Sequence, residues 1–305
     1  MSKPGENKHP SIRGQLNCAG RVIDLDRPII MGILNVTPDS FSDGGRWPEK
    51  NRAIDHALRM QEEGAHIIDI GGESTRPGAA PITVEEELRR VVPVIESITP
   101  ELPNHVQVSI DTRHELVARS AVAAGAVVIN DTSASLGPLA GELGVGFVAI
   151  HGRARPSTVP TGAGDDRMVE GVIESVVASA LAAVEAGAGP VWIDPGIGLG
   201  TTNRQDLELL GCVDRLVRTG VPVLIGVSRK GTTGRIHAAS DQGLTMSGLD
   251  LATLDPTPTD DRLEASLALA TWCALLGVDV VRVHDVAPTV QAMKVVDARS
   301  PAQNR

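Results

Sequence analysis

Ile29-Ile-Met-Gly-Ile-Leu-Asn35 is an apolar run of strand length that ends on an amide. His66-Ile-Ile-Asp-Ile70 repeats the pattern and carries an acid near its end. Between them, Arg52–Glu63 sets Ile54, Ala57, Leu58 and Gln61 at helical spacing, three of the four apolar. Strand, helix, strand is the unit that repeats along the chain. Further runs follow at Val106–Asp111, Val127–Asn130, Phe147–His151, Val191–Asp194, Val223–Val227 and Val280–His284. Most are apolar on both faces, which suits parallel strands covered on each side. Eight such units in 305 residues average about 38 residues each, the size of a single (β/α)8 barrel. An open doubly wound sheet is the alternative, but no glycine-rich dinucleotide fingerprint follows the first strand.

Local signals fill in the helices. Thr83-x-x-Glu86 and Thr112-x-x-Glu115 have the spacing of a capping box. Val172–Glu185, Asp206–Arg218 and Leu263–Leu276 are each followed by a glycine (Gly187, Gly220, Gly277) that tolerates left-handed geometry and so ends a helix. Gln15–Arg27 is expected to form an N-terminal hairpin ahead of the barrel, and Gly231–Asp261 to be part helix and part mobile loop. One barrel domain over residues 15–297 is expected, with residues 1–14 and 298–305 as flexible termini.

Composition excludes several classes. Hydrophobic residues make up 42% and charged residues 22%, so the chain is globular rather than disordered or collagenous. Three Trp, two Phe and no Tyr leave too few aromatics for a base-stacking nucleic-acid module. A net charge of -10 argues against a phosphate-backbone binder, though not against a small anionic substrate. Cys18, Cys212 and Cys273 are far apart and form no CxxC, so free thiols in a reducing compartment are expected. The polar N-terminus lacks the apolar stretch of a secretory signal, and no run approaches a membrane span. A cytoplasmic protein without membrane or nucleic-acid partners is the expectation.

The strands end on polar groups: Asn35, Asp69 with Glu73, Asp111, Asn130 with Asp131, His151, Asp194, Ser228 with Arg229 and Lys230, and Arg282 with His284 and Asp285. A barrel gathers its C-terminal strand ends around one cavity. Asp111, Asn130 and Asp194 suit a flat heterocycle with a guanidine-like N–H edge, since a carboxylate offers two parallel acceptors. Arg76, Lys230, Arg282 and His284 suit phosphates. Together they suggest a nitrogen heterocycle that carries a phosphate or pyrophosphate.

Met31-Gly-Ile-Leu-Asn-Val-Thr-Pro-Asp-Ser-Phe-Ser-Asp-Gly-Gly45 closely resembles the first signature of the dihydropteroate synthases. Asp69-Ile-Gly-Gly-Glu-Ser-Thr-Arg-Pro-Gly78 resembles the second. Ser109-Ile-Asp-Thr112, Ile129-Asn-Asp131, Asp194-Pro-Gly-Ile-Gly198, Ser228-Arg-Lys230 and Arg282-Val-His-Asp285 follow in the family's order, so the resemblance spans roughly residues 17–296. It implies a (β/α)8 barrel, usually a homodimer. The implied reaction condenses 4-aminobenzoate with 6-hydroxymethyl-7,8-dihydropterin pyrophosphate, assisted by Mg²⁺, to give 7,8-dihydropteroate and pyrophosphate. By the same resemblance Asp111, Asn130, Asp194 and Lys230 bind the pterin. Asn35 holds Mg²⁺ and, with Arg282 and His284, the pyrophosphate. Phe41, Thr75, Arg76, Pro77, Leu199, Lys230 and Gly231 line the aminobenzoate pocket. Asp43, on the first of two lid loops, steadies the cation that grows as pyrophosphate leaves. Asn35, Asp43 and Lys230 are the expected catalytic set, and no protein nucleophile is needed.

The chain departs from the family pattern at three places, the first two of them where the resemblance puts the aminobenzoate side. Gly198-Leu199-Gly200-Thr201 stands for the common Gly-Phe-Gly-Lys, Gly231 follows Lys230 in place of Ser or a similar residue, and Ile150-His151-Gly152 replaces Met-His-Met. A pocket that discriminates against sulfonamides is one expectation from these changes. A pterin-binding paralogue without synthase activity is the alternative function. A corrinoid methyltransferase barrel would need the pterin pocket but not the two loop motifs.

Overall fold

Six of the seven residues of Ile29–Asn35 are buried in the computed structural model, which describes residues 15–18, 21–24, 28–37, 46–73, 80–152, 166–245 and 249–299. A strand buried on both faces must have protein on both sides, and the sheet supplies it. Two short strands, β1 (Gln15–Cys18) and β2 (Arg21–Asp24), pair antiparallel as the expected hairpin. Eight parallel strands follow: β3 (Ile29–Asn35), β4 (Ile67–Gly71), β5 (Gln107–Asp111), β6 (Val128–Asp131), β7 (Gly146–Ile150), β8 (Val191–Asp194), β9 (Leu224–Ile225) and β10 (Val280–Val283). Their order is β8-β7-β6-β5-β4-β3-β10-β9. A parallel bridge between Ile193 and Val223 joins the two ends, and the Ile193 N–H donates to the Pro222 carbonyl at 2.9 Å. The sheet therefore closes into a (β/α)8 barrel, and the doubly wound alternative is set aside.

Helices cover the outside: α1 (Arg46–Glu62), α2 (Val84–Ile98), α3 (Glu115–Ala123), α4 (Gly137–Leu143), α5 (Asp166–Glu185), α6 (Asn203–Gly211), α7 (Val213–Val217), α8 (Gly231–Asp241), α9 (Leu263–Leu275) and α10 (Val286–Arg299). The strands show one face to these helices. Ile68, Ile70, Val108, Ile110, Ile129 and Phe147 join Val91, Ile95, Val117 and Ala121 in one continuous outer core. The other face fills the barrel with Ile29, Met31, Ile67, Val128, Val148, Trp192, Leu224 and Val280. Alternation along each strand then fixes what lies above that plug. Asn35, Asp69, Asp111, Asn130, Asp194 and Arg282 share the inward parity of the plug residues. No helix among the described residues is long and apolar enough to cross a membrane.

Some local expectations need correction. Thr83 caps α2, its side chain accepting from the Glu86 N–H at 3.2 Å. Thr112 does not cap α3. Its hydroxyl accepts from the His114 N–H, and His114 occupies the cap position without a side-chain capping bond, its ring turned to Glu87 instead. The reciprocal capping box lies instead at Thr202 and Gln205, ahead of α6. The helix expected over Asp206–Arg218 is two helices, broken at Cys212, which ends α6 and starts α7.

Candidate active site

Asp69 lies at the centre of the upper barrel and is fully buried. Its Oδ2 accepts from Arg282 Nε at 2.6 Å and from Asn130 Nδ2 at 2.8 Å. The same guanidinium donates through Nη2 to Asp111 Oδ2 at 2.6 Å. Four strands, β4, β5, β6 and β10, thus meet through one hydrogen-bonded group. Backbone pairing brings them there: Asp111 lies opposite Gly71 on one side and Asn130 on the other. Asp69 was visible in sequence as a strand-end acid. Its role as the hub of the site depends on register and was not anticipated.

One guanidinium serves two carboxyl groups here. Burial drives the Asp111 carboxyl up to about 7, against the downward pull of Arg282. Burial also raises Asp194, opposed by a hydrogen bond from the Gly196 N–H at 2.7 Å. Lys230 is lowered, first by burial and then by the charge of Arg282. Asp194 Oδ2 lies 3.9 Å from where a Cβ on Gly226 would stand, so the missing side chain leaves room beside that oxygen. Asn130 Oδ1 is buried without a donor from the protein. A buried acceptor of this kind is normally satisfied, and a ligand with an N–H edge would satisfy it.

Loop geometry at β8 is set by close approach. Gly196 has φ +75°, and a Cβ there would sit 1.6 Å from the His151 carbonyl oxygen. Gly198 carries the Lys230 side chain across its face: a Cβ would come within 3.0 Å of the lysine Cδ. Lys230 itself occupies the cap position of α8. Its backbone and that of Arg229 are held from below by Arg262, whose Nη1 donates to the Arg229 carbonyl at 2.9 Å and whose Nε donates to Thr257 at 2.8 Å. Arg229 has φ +56° and is clamped by Asp285 through bonds of 3.0 and 2.5 Å. His284, two residues beyond Arg282, sets its N–H and its ring Nδ1 against the Ser228 hydroxyl at 3.2 and 3.1 Å. Leu199 packs onto the inner core, and Gly231 is exposed as the first residue of α8.

Asn35 ends β3 opposite Gly71. A Cβ on Gly71 would stand 3.9 Å from Asn35 Oδ1 and 3.8 Å from Asp111 Oδ2, so the glycine keeps a polar recess open between them. No cluster of three metal-binding side chains occurs among the described residues. A single amide oxygen beside an open recess fits Mg²⁺ that arrives with a diphosphate, because Mg²⁺ keeps waters and takes phosphate oxygens. Phe41, Asp43, Thr75, Arg76 and Pro77 lie outside the described residues.

A profile of the pterin binding enzymes matches residues 31–284. The dihydropteroate synthase of Mycobacterium leprae is 40% identical over 277 residues, covering 88% of this chain and 92% of the relative. That of Escherichia coli strain K12 is 37% identical over 295 residues, covering 95% and 98%. The chain belongs to the dihydropteroate synthase family. Among solved dihydropteroate synthases, that of Xanthomonas albilineans with 4-aminobenzoic acid superposes with a TM-score of 0.81 at 40% identity. It covers 95% of this chain and 99% of its own. The X. albilineans dihydropteroate synthase in complex with 7,8-dihydropteroate gives 0.78 at 38% identity, covering 94% and 99%. Every signature that suggested dihydropteroate synthase in sequence ends, where described, at the upper rim of the barrel.

Proposed function

We propose that this chain condenses 4-aminobenzoate with 6-hydroxymethyl-7,8-dihydropterin pyrophosphate to form 7,8-dihydropteroate and pyrophosphate, a step in folate synthesis. The observation that carries it is the inward convergence of Asp111, Asn130 and Asp194, with Asn130 Oδ1 lacking a protein donor. Dihydropteroate synthases similar over nearly their whole length favour the synthase over a non-catalytic paralogue.

Asp194 pairs with the 2-amino and N3 edge of the pterin, Asn130 accepts from a ring N–H, and Asp111 closes the same edge. Lys230 spans the pterin and the aminobenzoate, while Leu199 and Gly231 line the aminobenzoate side with Phe41, Thr75, Arg76 and Pro77. Asn35, Arg282 and His284 hold the pyrophosphate. Mg²⁺, bound with the pyrophosphate at Asn35, would supply positive charge to the departing oxygens. The C–O bond to pyrophosphate breaks first, and the leaving group takes the electron pair. The dihydropterin spreads the resulting cation, with Asp43 steadying it. The aminobenzoate nitrogen then forms the new C–N bond and gives up one N–H proton to solvent. Fixed charges aimed at the developing charges lower the barrier.

Leu199, Thr201 and Gly231 favour a finer reading of the aminobenzoate wall. The Thr201 hydroxyl donates to Asp206, a partner behind the wall, so the wall facing the substrate carries no cation at this position. A pocket of this kind discriminates against sulfonamides. Sulfamethoxazole inhibition well above the aminobenzoate KM supports it, and inhibition at or below that KM contradicts it. The protein is read as a cytoplasmic homodimer. Helix α9 is apolar around much of its surface and leaves Trp272 and Leu275 40% and 49% exposed, as a second copy would require. A monomer in gel filtration would contradict this.

The catalytic reading is tested by following dihydropteroate formation from both substrates with the purified protein, with and without 4-aminobenzoate.

A further inference from the structure

Behind Leu199 and Lys230, Asp206 is buried to 2% exposure in the first turns of α6. Its Oδ1 accepts from the Gly198 N–H at 2.9 Å and from the Thr201 hydroxyl. Its Oδ2 accepts from the Thr232 hydroxyl, which also lies 2.9 Å from Asn203 Oδ1. One carboxylate therefore ties the β8 loop to the first turn of α8. Both attachments bear on Lys230. Gly198 is the surface its stem crosses, and Thr232 lies two residues beyond it. Asp206 is also among the carboxylates whose charge acts on the Lys230 ammonium.

The other side of the site is built differently. Asp111, Asn130 and Asp194 stand on paired strands of the barrel and make no contact with this carboxylate in the hydrogen bonds of Asp206. A buried carboxylate that receives three donors resists displacement, because freeing any of them would strand charge or a polar group away from water.

We infer that Asp206 is a positioning residue which, with Thr201, fixes the aminobenzoate side of the site by setting the Gly198–Leu199 wall. This rests on the assignment of 4-aminobenzoate to that wall. It makes Thr201, where the chain departs from its family, a structural partner of Asp206 rather than an idle replacement.

The test separates the two substrates. Steady-state kinetics are measured on wild type, Asp206→Asn, Thr201→Val and Thr201→Ser. Loss of one buried hydrogen bond to a charged group is expected to raise the aminobenzoate KM about ten-fold in Asp206→Asn and Thr201→Val, with the pterin pyrophosphate KM within about two-fold of wild type. Thr201→Ser, which keeps the hydroxyl, restores the aminobenzoate KM. Thr201 lies on a half-buried loop, so its variants carry the test should Asp206→Asn fail to fold. Equal changes in both KM values, or lowered thermal stability with neither KM moved, would overturn the inference. An active wild type with an unsplit variant refutes only this inference. A wild type that makes no dihydropteroate overturns the catalytic reading and this one with it.

Discussion

Arg282 and Asp111 stand on strands β10 and β5, far apart in sequence, and meet at 2.6 Å inside the barrel. The same guanidinium holds Asp69 at 2.6 Å through a different nitrogen. The contact is therefore a shared one: a single cation compensates two acids, one of them fully buried.

Replacing Arg282 by Met removes that cation and leaves both acids behind. Breaking a buried ion pair from one side is expected to cost about 3 kcal/mol or more in stability. Urea unfolding of Arg282→Met near neutral pH should show a lowered midpoint, and turnover should fall together with pyrophosphate binding. A variant of unchanged stability would mean that the acids are compensated by another group.

Asp111 makes stability depend on pH in an unusual direction for a carboxylate. Its carboxyl is driven up to about 7 in the folded protein, against an ordinary value of 3.8. The folded state therefore keeps a proton that the unfolded chain releases. Its contribution is complete below the ordinary value and is lost as pH rises through about 7. Denaturant midpoints of wild type and Asp111→Asn, compared from pH 5 to 8, should converge or cross as pH rises, with wild type losing stability relative to the variant. Parallel curves would contradict this assignment.

Gly196→Ala tests the β8 loop. The new Cβ would have to occupy a point 1.6 Å from the His151 carbonyl oxygen, at a backbone φ of +75°. Both the clash and the left-handed strain must be relieved by moving the loop, at an expected cost above about 2 kcal/mol. Pterin affinity should fall as Asp194 loses the Gly196 N–H at 2.7 Å. Calorimetry with the pterin substrate would read both effects, and unchanged binding would show that the loop is not needed to aim Asp194.

The parts of this molecule that were legible in the sequence are those written in local pattern. All eight barrel strands lie where apolar runs stand, and Val191–Asp194 and Ile29–Asn35 coincide with theirs to the residue. Gly187 and Gly277 stop their helices in left-handed geometry as expected. What escaped depends on contacts between distant segments. Thr112-x-x-Glu115 has capping spacing, yet Thr112 turns to the His114 N–H and α3 starts two residues later than that spacing implies, with His114 at the cap position. Asp206 reads as an ordinary acid near a helix start. Only the approach of Gly198 from the β8 loop and of Thr232 from the first turn of α8 shows that it is buried and shared. Asp69 likewise becomes a hub only once β10 lies beside β3 and delivers Arg282 across the barrel.

The central claim is that Asp111, Asn130 and Asp194 hold a dihydropterin pyrophosphate for attack by an aromatic amine. The direct measurement follows dihydropteroate and pyrophosphate together, using purified wild type and Asp194→Asn with Mg²⁺, in the presence and absence of 4-aminobenzoate. The account predicts that wild type forms dihydropteroate only when 4-aminobenzoate is present, and that Asp194→Asn loses about 100-fold or more in kcat/KM for the pterin substrate, as expected when a charged hydrogen-bond acceptor inside the site is neutralised. No dihydropteroate from a folded wild type, or an Asp194→Asn variant as efficient as wild type, would contradict it.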